Sequence, residues 1–415
     1  MSEPARLPRQ LGAYPFEREH CLSPFPHTDL LDQDRMAVVT MPSGHPAHLA
    51  VRHADVVRVL ADRRFSRRAM LTAPDGPRMT HADLDEPSLL GLDPPDHTRV
   101  RRLCAPALSA RAVEALRPAL DTRVTRLLDS IDADAVADRP VDLHRAFSLP
   151  LATGMVCDLL GVPEEQRAPL LHWSRQKLAL TSLPPDRTRA GHQALRAHWH
   201  HLLFGGPHYG SGLSPGGGLL RTLLQSHQHG SISRAELLAT AVNLYVAGHA
   251  TTAATLTNGL LHLLIHRDQW QALRRDPALI DRAVLEILRY DTIADAALPR
   301  LATSDIRLGR TRIRAGEAVI PSHAHADRDP RVFTDPHTFD ITRTPGPLLA
   351  FGHGPHRCIG ARLALLELST AFLAFSRRHP GLTVSRPVTR LPFLNGSLIG
   401  GVAQLPATGL GPATS

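Results

Sequence analysis

Phe351-Gly-His-Gly-Pro-His-Arg-Cys358-Ile-Gly360 is the stretch that decides the fold. Two glycines and a proline ahead of the cysteine impose a tight, irregular loop. The Leu- and Ala-rich run beyond Gly360 reads as a helix, whose first N–H groups point back at the sulfur. That helix end, with His356 and Arg357 beside it, predicts a thiol pKa lowered toward the thiolate. Gly360 leaves the backbone free to pass close to something flat. A solitary cysteine is ordinarily a small buried hydrophobe; inside this loop it reads as a ligand.

Outward from the loop, the chain of 415 residues is 43% hydrophobic and 4% aromatic, enough for a large globular core. Ala, Leu and Arg dominate and favour helix. The fold class expected is mainly α with a minor β part, in a single domain over 1–415. An irregular N-terminal segment over 1–45 and a flexible surface loop over 205–218 are expected within it. A strand near Leu49–Val51 and a helix from about Ala54 follow the first segment. The stretch from Arg67 to Leu90 reads as a long loop. Asp93 serves as N-cap of the next helix. Ser233 and Glu236 form a capping box for one long helix that is apolar all round. Residues 305–320 read as a β-hairpin and Leu391–Ala407 as another.

The formal charge is +8, yet no basic tail or nucleic-acid motif accompanies it. The arginines are a solvated surface or a docking face for an acidic electron carrier, with Arg102, Arg357 and Arg362 as candidates. Four dispersed cysteines form neither a Cys-x-x-Cys pair nor a disulfide framework. The polar N-terminus and the lack of a transmembrane-length apolar run predict a soluble, cytoplasmic protein with no membrane or nucleic-acid partner. His198 and His201 stand at metal-ligand spacing, but a histidine-rich surface helix is the expected reading.

The Cys358 segment resembles the haem-binding signature Phe-x-x-Gly-x-x-x-Cys-x-Gly of the cytochrome P450 superfamily, matching at Phe351, Gly354, Cys358 and Gly360. The resemblance extends over nearly the whole chain from about residue 45. It implies haem b as cofactor and Cys358 as the metal ligand, with Phe351 packed beside it. A thiolate ligand promotes O–O cleavage. Glu286-Ile-Leu-Arg289 resembles the family's Glu-x-x-Arg pair, with Arg343 as third member of a structural network. His97, Arg101, Arg300 and His356 are implied partners of the haem propionates. Ala247-Gly248-His249-Ala250-Thr251 resembles the oxygen-binding groove: Gly248 lets dioxygen approach the helix, and Thr251 is the hydroxyl that meets it. Ala250 departs from the pattern, because the family usually has an acid there. Proton delivery then falls to Thr251, water, His249 or the substrate, with water and substrate favoured and His249 expected to point elsewhere.

By position, the substrate pocket takes Met70, Leu71, Asn243, Val246, Ala247, Ala296, Ala297, Leu298 and Leu398, under a mobile lid at Trp173–Leu183. The function implied is monooxygenation of a small organic molecule in secondary metabolism, by hydroxylation or epoxidation. Oxidative C–C or C–N coupling of aromatic or cyclic dipeptide substrates is the alternative within the class, and a non-catalytic haem-binding protein is the alternative outside it. No nucleotide fingerprint is fused to the chain, so a ferredoxin and a ferredoxin reductase are the implied electron donors to a monomer.

Overall fold

The computed structural model describes residues 8–20, 23, 25–33, 35–79, 87–134, 139–214, 218–295 and 299–410. The long helix forms as its capping box requires. It runs Arg234–Ile265 (here α10, in chain order), with Ser233 Oγ accepting from Glu236 N and the Glu236 carboxylate accepting from Ser233 N. Most of its faces are buried, and the other helices pack around it. In order these are α1 His53–Ala61, α2 Arg67–Thr72, α3 Asp96–Cys104, α4 Ala110–Glu114, α5 Arg117–Asp134, α6 Leu149–Leu160, α7 Arg167–Lys177, α8 Pro185–Phe204 and α9 Leu219–Gln228. Beyond α10 come α11 Arg267–Arg275, α12 Ile280–Tyr290, α13 His323–Ala326 and α14 Ala361–Arg378.

Small residues on α10 set how closely its neighbours approach. A methyl on Gly248 would lie 2.5 Å from Val156 of α6, and one on Gly259 would lie 2.5 Å from Phe372 of α14. The minor β part is one six-stranded sheet and two small ones. The large sheet runs β1-β2-β3-β9-β6-β4, made of Gln10–Ala13, Ala37–Thr40, Pro46–Ala50, Ala318–Pro321, Arg300–Ala302 and Phe65–Ser66. Between them in chain order lie β5 Val141–Asp142, β7 Ile306–Leu308 and β8 Thr311–Ile313, followed by β10 Thr383–Val384 and β11 Pro406–Thr408.

Several expectations change. The first 45 residues are not irregular throughout, since they supply β1 and β2, and β2 pairs antiparallel with β3. The 67–90 stretch opens with α2. Asp93 does not cap α3, whose N-cap position is Pro95. Its carboxylate instead accepts from Arg67 N at 3.0 Å and Arg68 N at 3.3 Å, at the start of α2. A carboxylate suits that end of a helix equally well, and tertiary proximity decided which helix it serves. The 305–320 hairpin ends at β8, and β9 crosses into the large sheet, parallel to β3. In the 391–407 region a bridge joins Phe393 and Val402, but β11 leaves to pair with β10 and β5. The 205–214 connection is tied down by Gly210 N donating to Leu203 O and Ser214 N donating to Gly161 O.

Candidate active site

The Cys358 loop is built by its glycines. Gly352 and Gly354 have φ of +68° and +67°, a region costly for other residues. A methyl on Gly354 would also lie 2.6 Å from Leu60 O, so the loop rests directly on α1. Cys358 N donates to Phe351 O at 2.8 Å, closing the loop in front of α14. The cysteine is exposed, and what it faces is a cavity inside the protein. Among the described residues, and its chain neighbours apart, a methyl placed on Gly360 would meet only Cys358 Sγ, at 4.0 Å, so that position is open toward the cavity, as a flat group would need.

The thiol departs from expectation. Burial pushes its pKa up, and the N–H groups of Gly360 and Ala361 with Arg101 and Arg357 only partly offset it. His356 adds no charge, because burial, Arg300 and neighbouring His97 hold its pKa far below the usual value. Sequence shows donors and cations but not desolvation. A metal cation on the sulfur displaces the proton outright.

Two cavities meet at this loop. The larger, about 340 Å³, is walled by α2, α3, the end of α7, α10 and the segment around Leu398; the smaller, about 190 Å³, lies between α6, α10 and α14. Leu244, Ala247, Thr251, Ala350, Phe351, Cys358 and Ile359 border both. Thr251 therefore faces the cysteine loop across the joined space, although its hydroxyl donates to Ala247 O at 2.6 Å within its own helix. Gly248 borders the smaller cavity, yet its close approach is to Val156 of α6, so helix packing is one reason for glycine there. Ala250 borders neither cavity. His249 turns away: its Nδ1 is bonded to Tyr245 O at 2.7 Å and its Nε2 to Ser174 Oγ at 3.0 Å, and burial lowers its pKa to about 4.

One end of the larger cavity is cationic. The β4–β6 pairing places Ser66 opposite Leu301, which brings Arg67 beside Arg300. Arg67 is buried, donating to Pro299 O at 2.6 Å and Leu90 O at 3.0 Å, and burial lowers its pKa to about 10. Arg300 stands behind it, 1% exposed, its pKa driven well down by burial and by Arg67. His97 and His356 lie with ring centroids 4.4 Å apart and planes tilted by 43°, and each has an Nδ1 that is buried without a hydrogen-bond partner among the described residues. Burial and Arg101 lower the His97 pKa to about 4. Asp93 is the carboxylate that answers this group, at 4.0 Å from His356 Nε2. Buried cations need anions, so orphaned imidazole nitrogens beside three arginines fit the carboxylates of a flat, anionic cofactor. Arg67 escaped sequence reasoning, as did His323, which borders the same cavity with an unpartnered Nε2.

Met70, Leu71, Asn243, Val246, Ala247 and Leu398 all border the larger cavity. Ala296, Ala297 and Leu298 lie outside the described residues. Asn243 is already bonded, its Nδ2 donating to Ala239 O at 2.9 Å. The end of the expected lid is held down: the N–H groups of Leu180, Thr181 and Ser182 all donate to Gly396 O. Away from the cavities, Glu286 binds Arg289 through both carboxylate oxygens at 2.7 and 2.8 Å and accepts from Arg343 Nε at 3.1 Å. Among the described residues no cluster of His, Cys, Asp or Glu could hold a metal, His198 and His201 included. No single helix there is long and apolar enough to cross a membrane.

An exposed cysteine in a cavity that α10 borders, with a cationic end, fits a haem-thiolate oxidoreductase. Comparison places it further. A model of the cytochrome P450 family matches residues 217–378. The chain is 35% identical to nocardicin C N-oxygenase of Nocardia uniformis subsp. tsuyamanensis, over 95% of this chain and 98% of that protein. It is 35% identical to cytochrome P450 105A3 of Streptomyces carbophilus, over 93% and 92% of the two chains. The crystal structure of the mycinamicin VIII C21 methyl hydroxylase MycCI from Micromonospora griseorubida matches with TM-score 0.86 and 33% identity, over 96% of this chain and 100% of that one. The chain belongs to the cytochrome P450 family. It is a haem-thiolate monooxygenase, its cofactor is haem b, and it takes small-molecule substrates with electrons from redox partners.

Proposed function

We propose that the joined cavities would hold haem, with the Cys358 thiolate as the ligand to its iron and Phe351 beside the sulfur. His97, Arg101 and His356, backed by Arg67 and Arg300, hold its propionates through charge-assisted hydrogen bonds. The haem supplies the reduction and cleavage of dioxygen; the chain supplies position and protons. Thr251 borders the same space as Cys358, with Gly248 and Ala250 in the same turn. Met70, Leu71, Val246, Ala247 and Leu398 give the substrate an apolar wall, and Asn243 offers it an amide oxygen, one N–H of its amide being engaged by Ala239 O.

The reading is hydroxylation or epoxidation of a natural-product intermediate. The nocardicin and mycinamicin relatives, each a third identical over nearly full length, support that substrate class. A ferredoxin with its reductase would deliver the electrons to a cytoplasmic monomer. What supports this is the exposed sulfur of Cys358 in a cavity that Thr251 also borders. The test is titration of the holoenzyme with a panel of macrolides, cyclic dipeptides and aromatic polyketides, read by the low-to-high-spin change of the haem. One class should give a saturable shift followed by oxygenated product with a ferredoxin system. A saturable shift with no product from any reductant would contradict the reading.

A further inference from the structure

Of the 47 Lys and Arg residues in the sequence, Lys177 is the single lysine. It ends α7 and borders the larger cavity. A cation suits the end of a helix, but Arg175 in the same turn already provides one. The two cations differ in kind. A guanidinium is a wide planar fork, whereas an ammonium is a compact charge on a flexible stem.

Local packing sets where that charge stands. α7 and α8 approach closely because Gly191 has no side chain; a methyl there would clash with the Gln176 side chain. The next residue on each helix then meets its counterpart, and Lys177 Nζ donates to His192 Nδ1 at 3.0 Å. His192 is itself buried. Beyond Lys177 the chain is pinned, since Leu398 N donates to Leu178 O at 2.8 Å.

Charge around the larger cavity is one-sided. Its described lining residues include Arg67, Arg78, Arg101, Arg357 and Lys177, and no aspartate or glutamate is among them. A cleft lined by one sign of charge and walled by apolar groups concentrates ligands of the opposite sign. On the proposed function, the cofactor's carboxylates answer Arg67 and Arg101. Lys177 and Arg78 stand on other segments, the end of α7 and the stretch after α2. Those segments meet: Met79 and Leu180 share one buried cluster with Met70, and Leu398 packs against it.

We propose that the substrate is an organic acid whose carboxylate is received by Lys177, with Arg78 adding to the positive field and the apolar body lying along Met70, Val246 and Leu398. This rests on the monooxygenase reading and names the substrate class for the same cavity. An ammonium has three N–H donors, so Lys177 can serve the carboxylate and His192 together.

The test titrates holoenzyme with dodecanoic acid, naproxen and N-acetyltryptophan, each beside its methyl ester, and reads the low-to-high-spin change. At least one acid should bind at least about tenfold more tightly than its ester, as a hydrogen bond between charged groups implies. In Lys177→Met that preference should fall to about twofold or less, and Lys177→Arg should keep part of it. Haem content and the ferrous–CO band should match the parent in both. With one lysine in the chain, reductive methylation with isotope-labelled formaldehyde gives one side-chain dimethylammonium signal by NMR. That signal should move on adding the acid that binds and stay still with its ester, a reading that needs no variant to fold. Esters that bind as tightly as their acids, no acid that binds, an acid preference that survives in Lys177→Met, or a methyl signal unmoved by a bound acid would each overturn the proposal. A parent with no thiolate-type CO band would instead sink the monooxygenase reading, and the methyl signal would still decide whether Lys177 receives a carboxylate.

Discussion

Two groups of buried arginines in this molecule have opposite fates. Around Glu286, every charge is answered within the chain: Arg289 fills both oxygens of Glu286 and also donates to Asp327 O at 3.0 Å and Pro336 O at 2.8 Å, while Arg343 and Asp340 N complete the carboxylate. Around Arg67 and Arg300, burial depresses the pKa values of the cations, and two imidazole nitrogens lack partners. A closed network fixes the fold, whereas an open one is completed by an anion from outside the chain. On the proposed function, the difference separates residues that fix the fold from residues that would hold the cofactor.

Substitutions should respect that division. The largest effect belongs to the closed group. Glu286→Ala strands Arg289 in the core, a loss of about 3–5 kcal/mol, and denaturant titration of the haem-free protein should show it in full. Arg101→Ala in the open group should leave that titration unchanged. It should instead weaken haem retention by about 1.5–3 kcal/mol, the worth of a hydrogen bond to a charged group, read as faster haem transfer to apomyoglobin. If Arg101→Ala destabilises the haem-free protein as much as Glu286→Ala does, the two groups are not distinct. Gly248→Ala should cost about 1–3 kcal/mol through its clash with Val156, and Val156→Ala in the same chain should recover part of it. Thr251→Val should change stability by no more than about 0.5 kcal/mol, while still lowering product per electron pair.

The closed group was legible because its signal is local. Glu286 and Arg289 share one helix face, and Arg343 follows in a short recognisable run. The capping box of α10 and the start of α14 after Gly360 were local in the same sense. The open group was only partly so. His97 and Arg101 share a face of α3, but Arg67 acquires its role from carbonyls at Leu90 and Pro299, the latter 232 residues away. Nothing near it in the chain marks it among the many arginines. The thiol pKa was misread in direction because desolvation depends on the whole surrounding fold. Asp93 was assigned to the wrong helix because two helix starts compete for it in space.

Cys358 is proposed as the thiolate ligand of a haem that α10 and α14 would enclose. The most direct measurement is the ferrous–CO spectrum of the purified holoenzyme beside that of Cys358→Ser. The wild type should show the red-shifted Soret band of a thiolate-ligated haem, and the variant should lose it while the protein stays folded. A wild-type band at the position of imidazole-ligated haem, or a red-shifted band that survives in Cys358→Ser, would contradict the account.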